Sequence, residues 1–186
     1  MTRKDIPNLI TVFRFLLIPP VGWFLWYGQV QYALVLFAIA GFSDGLDGYL
    51  ARRFDWRSRL GAVLDPLADK GLMTLTLIIM LLKGMMPVAL VAVIILRDLV
   101  ILAGATAFHY RTKELEMQPS VISKANTALQ ILLVVLVMWN AGVSALPGWL
   151  VSGAMIVVFI TTLLSGLDYV LRWSAKAHHH KTENAE

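Results

Sequence analysis

The chain has no cysteine among its 186 residues. Disulfides, thiolate zinc sites and cysteine nucleophiles are excluded with it. Charge is scarce too, at 15% of the sequence, and long stretches carry none. No stretch is polar enough for a separate soluble domain, and the opening MTRKD leads straight into an apolar run without the features of a signal or transit peptide. Hydrophobic residues are abundant instead, at 58%, where globular chains hold about 45–50%. Apolar runs of about 20 residues, separated by short polar connections, are the pattern of a multispanning helical membrane protein. The net charge of +4 is modest and points to no nucleic-acid partner.

Six spans are expected, at 6–27, 31–52, 61–82, 87–109, 121–139 and 146–169. They make residues 1–170 one all-α integral membrane domain and leave 171–186 as a polar tail that frays. Asn8, Thr11 and Arg14 share a face of the first span, and Pro19-Pro20 marks a kink. Arg14 can either reach the acidic site or snorkel to the cytoplasmic surface, and snorkelling is the favoured expectation. Arg3 and Lys4 precede the first span, Arg52, Arg53, Arg57 and Arg59 follow the second, Arg111 and Lys113 the fourth, and Arg172, Lys176 and Lys181 the sixth. The alternate connections carry Lys83 alone, so both termini are expected in the cytoplasm. Trp23, Trp26, Trp139 and Trp149 fall at the other interface, as an aromatic belt.

The exception to this apolar pattern is the segment Ser43–Lys70, SDGLDGYLARRFDWRSRLGAVLDPLADK. On a helix, Asp44, Asp47, Gly48 and Ala51 fall at i, i+3, i+4 and i+7, one face. Gly61, Asp65 and Asp69 share a face of the next helix at i, i+4 and i+8. Folded back antiparallel, the two helices bring four carboxylates together beside small residues. A charged side chain at mid-membrane costs roughly 3 kcal/mol, so four unpaired aspartates at full depth would cost on the order of 10 kcal/mol. A place near the interface lowers that cost, mutual repulsion adds to it, and bound divalent cations offset both. Hard carboxylate oxygens without cysteine or a convergent histidine pair suit Mg²⁺ or Mn²⁺, in a two-metal site able to grip a diphosphate. Pro66, inside the third span, breaks a helix rule in the way functional sites do.

The pattern Asp44-x-x-Asp47-Gly48-x-x-Ala51-Arg52, eight residues, Gly61-x-x-x-Asp65-x-x-x-Asp69 resembles in full the motif of the CDP-alcohol phosphatidyltransferase family. The Pro7-Asn8 opening, the size and the six-span layout extend the resemblance to 6–169. It implies an integral membrane enzyme, commonly a homodimer, that moves a phosphatidyl group from CDP-diacylglycerol to an alcohol and releases CMP. It further implies that Asp44, Asp47, Asp65 and Asp69 hold the metals, with Asp69 also taking the acceptor's proton. Asn8, Gly48, Ala51, Arg52, Ser58 and Gly61 match positions around the CDP-diacylglycerol donor.

Downstream, Ile95-Leu96-Arg97-Asp98 and the stretch Val121 to Gln130 resemble the cardiolipin synthase branch, whose acceptor is phosphatidylglycerol. The related phosphatidylglycerophosphate synthases use glycerol 3-phosphate and favour a second basic residue where this chain has Asn126. Both acceptors carry a phosphate, so Arg97 and Lys124 are candidates to bind it. Arg97 could equally pair with an aspartate of another helix while Asp98 faces elsewhere, since adjacent helical residues diverge. Asp168 and Arg172, at i and i+4, are expected to form a surface pair. The histidines at 178–180 belong to a solvated tail.

A membrane transporter is the rival class, but its acidic residues would line a path rather than gather at one face. An intramembrane prenyltransferase shares the aspartates and Mg²⁺ but lacks the Gly48-x-x-Ala51-Arg52 element. The short N-terminus favours a bacterial plasma membrane, with the aspartates facing the cytoplasm.

Overall fold

The computed structural model describes residues 6–54, 59–112 and 121–183, without the side chains of 6–8, 46–52, 59–63, 66, 105–112 and 172–183. The described residues form six helices and no strand: α1 (Ile6–Trp26), α2 (Val30–Phe54), α3 (Arg59–Leu82), α4 (Val88–Thr112), α5 (Val121–Gly142) and α6 (Gly148–Glu183). Each corresponds to one expected span, and α1 continues through Pro19 and Pro20. The last helix runs on past 169, to 36 residues in all. Among the described residues, Leu9–Trp26, Val121–Gly142 and Gly148–Leu171 are long and apolar enough to cross a membrane, and Val30–Gly45 is a shorter apolar helix. Large apolar side chains stay exposed along them, among them Leu16, Leu132, Ile160, Leu164 and Leu167. An apolar exterior of this extent suits lipid and not water.

Local chemistry sets the helix ends. Gly28 (φ 76°) and Gly84 (φ 70°) adopt the left-handed conformation just past α1 and α3. Around Gly28, the Gln29 amide donates to the Phe24 carbonyl (2.8 Å) and the Gly28 amide to that of Leu25 (3.2 Å). Around Gly84, Met85 and Gly84 repeat the pattern to Met80 (2.8 Å) and Leu81 (2.9 Å). This is the Schellman arrangement, which satisfies carbonyls the helix leaves open. Pro87 and Pro147 stand just before α4 and α6, where a missing amide costs nothing, and their carbonyls accept the first helical bonds, from Leu90 (3.1 Å) and Leu150 (2.9 Å).

The chain divides into two compact units, Met1–Met86 with Val134–Leu146, and Pro87–Leu133 with Pro147–Glu186. In the first, α1 packs on both α2 and α3. The approach to α3 is close because α1 presents Gly22, where a Cβ would lie 2.9 Å from Leu75 Cδ2. Gly142, at the end of α5, plays the same part against the start of α2, where a Cβ would lie 2.9 Å from the Gln31 backbone nitrogen. Small residues at such contacts let helix backbones approach where no hydrophobic effect drives them together. Val21, Leu25, Ala33, Phe37 and Met80 are buried in this unit. At its glycine-capped end, Trp23 packs on Tyr27 with ring centroids 4.6 Å apart, and the Lys83 ammonium lies 4.9 Å from the Trp26 ring. In the second unit α4 packs on α6. There Gly104 leaves room for Tyr169, whose hydroxyl donates to the Ile101 carbonyl (3.1 Å).

Candidate functional site

Helix α1 enters the acidic site of the first unit as a third contributor, beside α2 and α3. Thr11 and Arg14, one turn apart, are both buried, and Arg14 has no exposed surface. The Arg14 guanidinium meets an Asp44 carboxylate oxygen at 2.7 Å, while the Asp44 side chain keeps 43% of its surface exposed. The Thr11 hydroxyl donates to Asp65. Asp69, one turn beyond Asp65 on α3, lies within electrostatic reach of Asp44, Arg14, Lys70 and Asp65. Arg14 and Thr11 of α1 thus bring Asp44 of α2 and Asp65 of α3 to one turn of α1, with Asp69 nearby. Arg14 does not snorkel, because a carboxylate on α2 offers its charge a partner inside the protein. Ser43, next to Asp44, donates to the Ile39 carbonyl of its own helix (2.7 Å). It also borders an apolar groove of about 440 Å³ lined by Leu9, Ile10, Val12, Phe13 and Leu16.

Carboxylate oxygens from two helices, one of them well exposed, are chemically suited to a hard divalent ion such as Mg²⁺ or Mn²⁺. Among the described residues, however, no three Asp, Glu or His side chains are gathered so as to hold a metal. Asp44 is engaged by Arg14 and Asp65 by Thr11 instead. The side chains of Asp47, Asn8, Ala51 and Arg52 lie outside the described residues, as do residue Ser58 and the surroundings of Gly48 and Gly61. So does the side chain of Arg172, the expected partner of Asp168.

A second polar cluster belongs to the other unit. Arg97 is 6% exposed. Its Nη1 meets Asp98 at 2.8 Å, its Nε and Nη2 donate to the Ser165 hydroxyl at 3.2 and 2.8 Å, and Nη2 also donates to the Ser123 hydroxyl. The reading in which Arg97 pairs with an aspartate of another helix has Asp98 facing elsewhere. Instead it pairs with its neighbour, because an arginine stem is long enough to fold back along the helix. The cross-helix partners are serines, which sequence reasoning missed. One and two turns further along α5, Asn126 Oδ1 accepts from the Thr161 (2.9 Å) and Thr162 (3.1 Å) hydroxyls, and Gln130 donates to Thr162 (3.3 Å). A shared-face reading of Ser123, Asn126 and Gln130 would have found this seam. Lys124, one residue on from Ser123, is exposed.

The profile of the CDP-alcohol phosphatidyltransferase family matches residues 4–167. A rat protein named cardiolipin synthase (CMP-forming) is 37% identical over 145 residues, 69% of this chain and 48% of its own length. A fission yeast cardiolipin synthase and mitochondrial hydrolase fusion protein is 35% identical over 89% of this chain and 30% of its own. The chain thus spans half or less of either relative. The CDP-diacylglycerol–glycerol-3-phosphate 3-phosphatidyltransferase of Escherichia coli K12 is 28% identical over 89% of this chain and 93% of its own. The motif carried by α2 and α3, and the match over nearly all of the six helices, show that the chain belongs to the CDP-alcohol phosphatidyltransferase family.

Proposed function

We propose that the protein transfers a phosphatidyl group from CDP-diacylglycerol to an alcohol, releasing CMP, with phosphatidylglycerol as the favoured acceptor. The observation that carries this reading is the neighbourhood of Asp44, Asp65 and Asp69 in a chain of this family. Asp44, Asp47, Asp65 and Asp69 would hold two divalent ions, Mg²⁺ or Mn²⁺. Bound there, such ions supply neutralising charge for the diphosphate oxygens. Asp69 accepts the proton of the acceptor hydroxyl. The freed oxygen bonds to the phosphorus that carries diacylglycerol, the bond from that phosphorus to the CMP oxygen breaks, and CMP departs. Asn8, Gly48, Ala51, Arg52, Ser58 and Gly61 would surround the donor, and the apolar groove beginning at Ser43 suits an acyl chain.

Arg97 is the candidate for the acceptor's phosphate, with Lys124 beside it in sequence. Its guanidinium is buried and aimed by hydroxyls, which leaves it suited to a further charge-assisted contact. Six membrane spans, cytoplasmic termini, a site facing the cytoplasm of a bacterial plasma membrane and a homodimer complete the reading. The charge distribution supports the orientation.

Glycerol 3-phosphate is the alternative acceptor, favoured by the match to nearly the whole of the Escherichia coli relative. Purified protein given CDP-diacylglycerol, Mg²⁺ and each acceptor separately decides by product mass. Cardiolipin is expected from phosphatidylglycerol; phosphatidylglycerophosphate alone would transfer the assignment. CMP release also separates both from a transporter, which produces none.

A further inference from the structure

Helix α6 meets the buried Arg97 with two adjacent residues of different kinds. Gly166 lies beside the stem, where a Cβ would stand 3.7 Å from Arg97 Cγ, an ordinary contact. Ser165, itself 1% exposed, takes the head: its Oγ accepts from Nε at 3.2 Å and from Nη2 at 2.8 Å. Nε and Nη2 form one edge of the planar guanidinium, so an acceptor shared by both fixes the plane of the fork. Asp98 and Ser123 each hold a single nitrogen, Nη1 and Nη2, and a contact through one nitrogen lets the plane turn about it.

Ser165 owes its place to contacts other than Arg97. One turn further along both helices, the Tyr169 hydroxyl donates to the Ile101 carbonyl (3.1 Å), in the space that Gly104 leaves. One turn back, Thr162 is tied to Asn126 and Gln130 of α5. The register of α6 is set on both sides of Ser165, and its hydroxyl comes to the guanidinium from a fixed platform. We propose that Ser165 is a positioning residue of the acceptor site, setting the direction in which Arg97 presents its charge to the acceptor's phosphate. This rests on the proposed role of Arg97 in holding that phosphate. A charge-assisted hydrogen bond weakens steeply as donor and acceptor lose alignment. An arginine left to turn must also give up rotamer freedom when it binds. Ser165 removes both costs before the acceptor arrives.

A residue that acts through Arg97 matters only while Arg97 is there. Steady-state turnover by the detergent-solubilised full chain measures this, with CDP-diacylglycerol, Mg²⁺ and either phosphatidylglycerol or glycerol 3-phosphate, each substrate varied in turn. Ser165→Ala is expected to raise the Michaelis constant of the acceptor in use about fivefold, the scale of one lost hydrogen bond, and to leave that of CDP-diacylglycerol unchanged. In an Arg97→Met background the same change is expected to add nothing, because residues that act as one unit are not additive in a double-mutant cycle. Gly166→Ala touches the stem alone and is expected to leave both constants at their parent values. Should Ser165→Ala not fold, Ser165→Cys keeps the shape but accepts hydrogen bonds weakly, and is expected to raise the same constant. An unchanged acceptor constant in the variant used, equal rises for donor and acceptor, a matching rise in Gly166→Ala, or an undiminished effect without Arg97 overturns the positioning role. A parent without turnover, or an acceptor constant that Arg97→Met itself leaves unchanged, removes the reading on which the role rests, and the role with it.

Discussion

Three hydrogen bonds to two serine hydroxyls and a carboxylate at 2.8 Å hold the Arg97 guanidinium in place. A long side chain fixed this way has already lost its rotamer freedom, so any anion that meets it gains the contact at little further entropic cost. Arg97→Met removes the charge and keeps the stem's bulk. The Michaelis constant for the acceptor is expected to rise about tenfold or more, as for a lost hydrogen bond to a charged group, while that for CDP-diacylglycerol stays put. Steady-state kinetics with each substrate varied in turn checks this, and equal changes in both would show a structural role. Such side chains were only partly legible in sequence. Asn8, Thr11 and Arg14 share a face, but spacing within one helix does not say which neighbour that face meets. Arg14 needed the packing of α1 on α2 to be understood. Arg97 needed the reach of its own stem, which the rule that adjacent residues diverge leaves out.

At the scale of the helix, backbone approach decides what each glycine can become. An alanine at Gly142 would set its Cβ 2.9 Å from the Gln31 backbone nitrogen, and backbone does not move aside. At Gly22 the nearest atom, also at 2.9 Å, is the tip of the Leu75 side chain, which can turn away. Gly142→Ala is therefore expected to destabilise by about 1–3 kcal/mol, as overpacking does, despite alanine's better helix propensity. Gly22→Ala is expected to stay within about 1 kcal/mol of the parent, its propensity gain offsetting a small repacking. Thermal unfolding of both variants in one detergent checks the difference. The helices themselves were legible because apolar runs end where Gly28, Gly84, Pro87 and Pro147 stand, and those residues stop or start helices for steric reasons. The length of α6 was not. Polar composition from 171 onward suggests fraying, yet the helix continues to Glu183.

For the whole molecule, the absence of cysteine that excludes so much chemistry makes the topology easy to test. Lys83→Cys and Lys181→Cys place single thiols in an otherwise thiol-free chain. In intact cells a membrane-impermeant maleimide is expected to label the first and not the second; the reverse pattern would invert the orientation drawn from the positive-inside rule. The acidic motif was the most legible feature, because helical spacing alone puts Asp44 with Asp47 and Asp65 with Asp69. Whether Arg14 of α1 reaches the acidic site or snorkels was not legible, because it depends on which helix packs where.

On the proposed function, these aspartates serve a metal-dependent phosphatidyl transfer. Its most direct test is CMP release from CDP-diacylglycerol by purified parent protein and Asp69→Asn, with and without Mg²⁺, beside thermal unfolding of both. The parent is expected to release CMP only with Mg²⁺. The variant is expected to lose at least about 100-fold, the usual scale of a missing general base, while unfolding at a similar temperature. Parent turnover that ignores chelation, or normal turnover by Asp69→Asn, would contradict the claim.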